Sequence, residues 1–435
     1  MTTGVSAIII KLKTREVTKK MTFDIKDYGA IADGVSVNTE SIQSAIDDCA
    51  RQGGGTVLVE GGVFVTGTLF MRSFVELRVE ANATLKASGC SEDFPDFACP
   101  EWNVKAAPRK TAKCLVYFGF IESASLTGMG KIDCNGSSYC EPVYENGTFE
   151  KYVRNTSESP ARMVFVMGCT NIKIEDITML EMAGGWGYWI NNSQYVTIHK
   201  AKLYCNPHYP NADGIHINCS SDILVDSCIV HSGDDSIIIR ANTNTLKERR
   251  VCERVIVKGC VLSSKCQAVR IAWRNDGVIR NCSLSNLVIT DSRHGIVIAL
   301  PNSSSPTDIG DNSTVVENIT VNGVVLDRVE QSPICIVVHP ENLYGSIGSI
   351  RFSGITSVSG DFPQVIGRPD AILHDIFFDS CRFTVKGMER FSGCPNVPAP
   401  CFRYVKNLVL NNTSFDIIDE PVPLTLFDDP LAKRS

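Results

Sequence analysis

The sequence predicts an all-β, single-domain parallel β-helix, a solenoid with a capping helix at its N-terminal end. Three observations carry this expectation. First, one pattern of short strand, two-residue polar corner and short strand recurs from residue 170 onward. It appears as IKIEDITM (172–179), VTIHKAKL (196–203), ILVDSCIV (223–230), VIVKGCVL (255–262), ITVNGVVL (319–326), IFFDSCRF (376–383) and LVLNNTSF (408–415). Second, apolar residues alternate with period two inside each copy, which is the mark of strands. Third, successive copies stand mostly 24 to 32 residues apart, with longer gaps where a copy is weak or a loop intrudes. No copy could bury its apolar face alone, but a stack could. A propeller would need longer repeats of four strands, and a sandwich would not repeat so regularly.

Residues 1–22 read as a loose extension, 23–420 as the β-helix and 421–435 as a tail. FDIKDYGAIADG (23–34) reads as a strand and a Gly/Asp turn. Thr39 to Gln52 reads as a helix, because Ile42, Ala45, Ile46 and Cys49 fall at i, i+3, i+4 and i+7. Asn38 or Thr39 can cap its start, and Gly53-Gly54-Gly55 ends it. A single early helix suits a cap over the open end of a solenoid. The strands TVLVEG, VFVTGTLFM, VELRVE and ATLKAS follow. Two irregular stretches, about 88–112 and 134–161, hold Trp102, Tyr139, Tyr144 and Tyr152. They read equally well as surface loops or as functional ones.

Hydrophobic content of 43% and charged content of 21% are those of a soluble globular chain. The net charge of −6 argues against a nucleic-acid surface. No apolar run approaches the ~18 residues of a membrane helix, so no membrane partner is expected. The N-terminus is a poor signal peptide, and a cytoplasmic location is expected unless a leader has been removed. Eighteen cysteines are many. Cys228, Cys260, Cys282 and Cys381 each follow a short apolar strand, and they read as buried residues stacked at a solenoid corner. No Cys/His grouping has zinc spacing, so no metal or other cofactor is expected. The Asn-X-Ser/Thr sequences, as at Asn82, Asn155 and Asn312, read as turns.

Function concentrates between Asn211 and Asp235. NADGIHI (211–217) and GDDSIII (233–239) have the same shape, offset by 22 residues, so Asp213 matches Asp235. Strands stacked in register lie about 4.8 Å apart, which would bring Asp213, Asp234 and Asp235 into one patch. Crowded carboxylates raise at least one pKa, and a proton donor beside an ionised base is what glycoside hydrolysis needs.

Two further copies, CQAVRIA (266–272) and RHGIVIA (293–299), extend the ladder. One column then reads Asp213, Asp235, Gln267, His294, the column before it reads Ala212, Asp234, Cys266, Arg293, and an outward column reads His216, Ile238, Arg270, Val297. The next outward column reads Asn218, Arg240, Ala272, Ala299. A lengthwise groove would carry acids at one end and Arg240, Arg270, Arg293 and His294 around them. These arginines suit an anionic or polyhydroxylated ligand, or else structural ion pairs. Trp186, Tyr188 and Trp189 lie one coil earlier and could stack on a sugar or pack in the core.

On these residues the chain resembles the family 28 glycoside hydrolases, the polygalacturonase family, from about residue 23 to 415. FDIKDYGAIADG, QGGGTVLVEGG and LRVEANATLKAS are similar to its N-terminal part. Asn211-Ala212-Asp213 resembles its Asn-Thr-Asp motif, Gly233-Asp234-Asp235 its Gly-Asp-Asp motif, and Trp186 falls at the spacing of a tryptophan common upstream. The resemblance implies a right-handed parallel β-helix and metal-free, inverting hydrolysis. Asp234 would be the general acid, with Asp213 and Asp235 activating water. Acid and base would then stand ~6.5–9.5 Å apart.

Two departures stand out. The family's Gly-His-Gly is replaced by Cys266-Gln267-Ala268, and its Arg-Ile-Lys by Val297-Ile298-Ala299. Arg270 and Arg240 could hold a carboxylate in a shifted register, and His294 could replace the missing histidine. Rhamnogalacturonan-cleaving relatives also lack Gly-His-Gly. The expected substrate is a pectin-type oligosaccharide containing uronic acid or rhamnose, attacked in an exo mode if the enzyme takes imported fragments. The expected binding residues are Asn211, His216, Arg240, Gln267, Arg270, Arg293, His294 and Trp186. A polysaccharide lyase or uronate epimerase on the same architecture, and a non-catalytic glycan-binding solenoid, are the alternatives.

Overall fold

The computed structural model describes residues 21–103, 108–155, 159–182, 185–301, 313–386 and 400–418. Its strands stack into two long sheets of 23 and 11 strands, and every pairing in them is parallel to its neighbour in the stack. All-parallel stacking excludes the propeller and the sandwich. One coil shows the path. Trp186–Asn191 belongs to the 11-stranded sheet, Gln194–His199 and Lys202–Tyr204 to two faces of the other, and a loop returns the chain to Ile215–Asn218 in the first sheet.

The polar corner has a simple geometry. Its second residue takes a left-handed conformation, as at Lys200 (φ 52), Ser227 (φ 57), Gly259 (φ 63) and Ser380 (φ 54). One such residue bends the strand without breaking the ladder. Lys200 N–H donates to Asp226 O at 2.9 Å, and Ser227 N–H to Lys258 O at 3.0 Å. Glycine and small polar residues tolerate this backbone best, which is why the corner reads as polar in sequence. A second left-handed corner precedes each of these, at Tyr195, Asp222, Arg254 and Asp375.

The longer gaps in the repeat are filled. Val278–Ser292 lies between the coils of 252–264 and 314–329, and Tyr344–Ser359 lies between those of 314–329 and 373–386. Of the four cysteines expected at one corner, Cys228 and Cys260 share a column, since Asp226 pairs with Lys258. Cys381 follows the same corner two residues after Asp379. Cys282 does not, because Ile256 pairs with Ser283 and so places it beside Val255, after the other corner. All four are buried, and among the described residues the cysteines are free thiols.

The helix forms as expected at Thr39–Arg51, with Ile42, Ala45, Ile46 and Cys49 buried against the first coils. Its capping differs from expectation. Asn38 stands at the N-cap position, but its side-chain amide goes to Ile31 O and Ser36 O, and Thr39 Oγ1 accepts from Gly67 N–H, so neither side chain bonds the first turn of the helix. Gly54 is required here, because a Cβ would meet Phe74 O at 2.5 Å. Thr22, expected in the extension, already pairs with Thr56. Nearly all of 1–22, the whole of 421–435, and Asn312 lie outside the described residues.

Both irregular stretches rise beside the 11-stranded sheet. Residues 90–103 run down-axis to the segment after Ile237–Arg240, where Asn103 N–H donates to Thr245 O at 2.8 Å. Cys140–Glu145 and Thr148–Arg154 form an antiparallel hairpin. It packs on the loop before Ile215, with Tyr152 4.8 Å from Tyr209 and Phe149 5.4 Å from His208.

Candidate active site

The ladder forms in the expected register. His216 pairs with Ile238, Ile238 with Arg270, and Arg270 with Val297, while Asn218 pairs with Arg240 and Gln267 with His294. Ile215, Ile217, Ile237, Ile239, Val269, Ile271, Ile296 and Ile298 are wholly buried and fix which positions face out. Gly214 lets the acidic turns stack, since a Cβ there would meet Ser236 O at 2.4 Å. Gly214 N–H donates to Asp235 O at 2.9 Å, which sets Asp213 over Asp235.

The three carboxylates differ in depth. Asp213 and Asp235 are buried, whereas Asp234 is partly open. Burial and repulsion from Asp234 and Asp235 push the Asp213 carboxyl well above the ordinary range, and its Oδ1 has no partner among the described residues. Burial also raises Asp235, to about 6, against the pull of Arg270. Asp235 accepts the Gln267 N–H and Arg270 Nη1, each at 3.1 Å. Asp234 accepts the Asp235 N–H at 3.0 Å and Asn211 Nδ2 at 3.2 Å. Oxygens of Asp234 and Asp235 and the sulfur of Cys266 lie within 4.8 Å of one another. That separation is shorter than the ~6.5–9.5 Å expected of an acid and base, because both carboxyls turn to the same side of the turn.

The expected binding residues divide into groups. Trp186 lies over His216, with rings 4.2 Å apart and tilted by 30°. His216 is buried, and burial with Arg240, Arg162 and Arg270 nearby holds its imidazole neutral; its Nδ1 stands 3.8 Å from Asp213 Oδ2. Burial and the neighbouring Arg293 and Arg270 lower His294 to about 4. Asn211 bridges Asp234 and Arg154. Arg293 is exposed one coil beyond Gln267, and its side chain forms no ion pair among the described residues.

Arg240 is not placed as a ligand clamp. Its guanidinium forks onto Asp276, with Nη2 2.7 Å and Nε 3.1 Å from the carboxylate, and Asp276 is fully buried. Arg270 is also engaged, by Asp235 and by the face of Trp273 at 3.9 Å. Tyr188 and Trp189 are core residues, and Trp189 carries the buried Arg162 at 4.1 Å.

Sequence reasoning missed Arg154, Cys266, Trp273 and Asp276 as parts of this site. Arg154 ends the hairpin, with Nη2 3.4 Å from Asn211 Oδ1, and Asp213 and Asp234 act on its charge. The aromatic-rich stretch 134–161 was its only signal. Asp276 sits in Asn275-Asp276-Gly277, which reads as an ordinary turn and hides a buried acid.

The sequence model described as "Glycosyl hydrolases family 28" matches residues 49–343. An exo-poly-alpha-D-galacturonosidase of Dickeya chrysanthemi is 26% identical over 49% of this chain and 41% of its own length. A probable polygalacturonase of Arabidopsis thaliana is 23% identical over 65% of this chain and 61% of its own length. The chain thus spans about four- to six-tenths of the length of these relatives. Among solved structures, an exopolygalacturonase from Thermotoga maritima superposes with a TM-score of 0.71 at 18% identity, covering 91% of this chain and 92% of that one. A family 28 exopolygalacturonase of Yersinia enterocolitica gives 0.71 at 16% identity, covering 94% and 78%. The fold is the right-handed parallel β-helix of these structures.

Proposed function

The chain belongs to the family 28 glycosyl hydrolases, and from that premise we propose that it hydrolyses glycosidic bonds of pectin-type oligosaccharides, by acid/base chemistry at Asp213, Asp234 and Asp235. The observation that carries this reading is the convergence of the three carboxylates on two stacked turns, one open to the groove and two buried. Asp234, the open one, protonates the leaving oxygen. Asp235 takes the proton of the attacking water; a base of pKa about 6 is stronger than an ordinary aspartate and still ionised at neutral pH. Arg270 keeps it charged and aimed. With Asp234 and Asp235 so close, the water lies over the triad rather than between those two, and inversion follows if it attacks the far face of the sugar.

The exo mode is supported by the two walls beside the groove, residues 90–103 and the 140–154 hairpin, and by the relatives named as exo enzymes. Asn211, Gln267, Arg270, His294 and Trp186 line the sugar site, and Arg293 meets the chain further along. The absence of Arg-Ile-Lys, with Arg240 committed to Asp276, favours a rhamnose-containing or mixed backbone over plain polygalacturonate.

Time-resolved proton NMR with homogalacturonan and rhamnogalacturonan oligosaccharides tests all of this. A new reducing end of inverted configuration supports the reading and names the sugar. A vinylic C4 proton means β-elimination and replaces it. No turnover of any member moves the protein to the glycan-binding reading.

A further inference from the structure

We propose that Ser346, His374 and Asp375 form a second reaction centre, which hydrolyses carboxylic esters of small acyl groups. Ser346 Oγ stands 2.8 Å from His374 Nε2, and His374 Nδ1 stands 2.9 Å from Asp375 Oδ2. A hydroxyl within hydrogen-bond reach of a base, and a base oriented by a third group, is the arrangement that activates a nucleophile. The three residues lie on Tyr344–Ser359 and Leu373–Asp379 of the 23-stranded sheet. The acids of the sugar site instead precede Ile215–Asn218 and Ile237–Arg240 of the 11-stranded sheet.

The partners set the tautomer that the chemistry needs. In a neutral imidazole one nitrogen donates and the other accepts, while a carboxylate only accepts. His374 Nδ1 therefore gives its proton to Asp375, and Nε2 is left to accept from the Ser346 hydroxyl. Asn407 Nδ2 donates to Asp375 Oδ1 at 2.5 Å, and together with His374 it holds that carboxyl below its usual range. The ring is also seated. A Cβ on Gly348 would meet His374 Nδ1 and Cε1 at 2.4 Å, so only glycine lets the imidazole lie there. The Tyr344 hydroxyl accepts from Ile347 N–H at 3.0 Å and donates to Ile372 O at 2.5 Å, which ties the serine's coil to the histidine's.

Ser346 is open to a substrate. It is half-buried and follows the exposed Gly345, at a bulge where Thr314 pairs with Tyr344 but Val315 with Ser346. The extra residue of a bulge stays out of the ladder, so exposed backbone stands beside the nucleophile. Val315, half-buried and in register with Ser346, gives an acetyl-sized acyl group one apolar neighbour. In the first step Ser346 Oγ attacks the ester carbon and its proton passes to His374 Nε2. The bond to the alcohol oxygen breaks, and the alcohol leaves with that proton, giving acyl-Ser346. Water then attacks the acyl carbon and gives its proton to Nε2. The Ser346–acyl bond breaks and the proton returns to Oγ. The products are a carboxylic acid and an alcohol, and water is the only other reactant.

The test uses the full chain with p-nitrophenyl acetate and no glycan. We expect release of p-nitrophenol, with an acetyl group found on Ser346 by peptide mass spectrometry of the quenched protein. A fluorophosphonate should label the same oxygen and stop the release. Ser346→Ala should lose both labels and the release. His374→Gln should slow release by about 10²–10⁴-fold. Asp375 is a positioning residue, and Asp375→Asn should lower kcat while KM holds. The asparagine amide can donate to Nδ1 and move the ring proton to Nε2, an effect that a merely structural role would not confine to kcat. Release at an equal rate in Ser346→Ala, labels on lysines alone, or no release would each overturn the proposal. The labelling of Ser346 in the unaltered chain needs no variant to fold. The assay contains no sugar, so its result stands whether or not the glycan panel is turned over.

Discussion

Replacing Asp235 by asparagine is expected to make the protein more stable at neutral pH while removing its activity. Asp235 is buried, and its carboxyl is raised from 3.8 to about 6 in the folded chain. The folded state thus holds this proton more tightly than the unfolded state. The stability that goes with the bound proton is fully present below pH 3.8 and is lost as pH rises through about 6. A shift of about 2 units at 1.36 kcal/mol each makes the charged form cost about 3 kcal/mol at neutral pH. This is a net figure, since it already includes the favourable pull of Arg270. Asparagine imitates the neutral carboxyl in carrying no charge; its single oxygen can accept from the Gln267 N–H or from Arg270, which meet different oxygens of Asp235. Asp235→Asn should therefore gain on the order of 2–3 kcal/mol at pH 7.5 and nearly nothing at pH 4. At roughly 2.1 cal/mol/K per residue, that is a rise of about 3 °C in melting temperature. Parallel thermal scans of both proteins at the two pH values measure it. A mutant that melts lower than wild type at pH 7.5 would refute the reasoning, because the Arg270 ion pair would then outweigh desolvation.

Further outcomes follow from the same geometry. The acid limb of kcat/KM should fall below pH about 6, as Asp235 takes up its proton and ceases to act as base; a pH profile on the cleaved oligosaccharide checks this, and a flat profile from 7 to 5 speaks against Asp235 as base. Asp234→Asn should lower kcat by about 10²–10⁴-fold with an unchanged circular dichroism spectrum, and unchanged turnover would sink its assignment as acid. Arg270→Ala should weaken uronate-bearing substrates more than neutral ones, and equal losses would mean that Arg270 serves Asp235 alone. Asp276→Ala should destabilise the protein by roughly 3–5 kcal/mol, because it strands the Arg240 charge in a nearly closed site; a denaturant midpoint close to wild type would show that water reaches Arg240.

The amino-acid sequence alone determined the architecture. Period-two strands that cannot bury their apolar faces singly must stack, and the isoleucine pairs of 215/217, 237/239 and 296/298 set their register to the residue. That register placed Asp213 over Asp235 and Arg270 beside Val297 before any coordinates were needed. The repeat failed to reveal the coils at 278–292 and 344–359, where the alternation is weaker and the ladder on each side supplies the order. It also merged two corners, so that Cys282 was placed in the wrong column.

What only the tertiary structure decided is which charges are already satisfied. Arg240 and Arg270 look alike in the ladder, yet Arg240 meets Asp276 from the next loop while Arg270 meets Asp235 and Trp273. The distance from Arg154 to Asn211 depends on a hairpin that folds back across 57 residues of sequence. Strand periodicity is a local property, so it is written in each segment. Pairing of charges across loops, and the burial that shifts their pKa values, depend on where distant segments come to rest, and no local pattern encodes that.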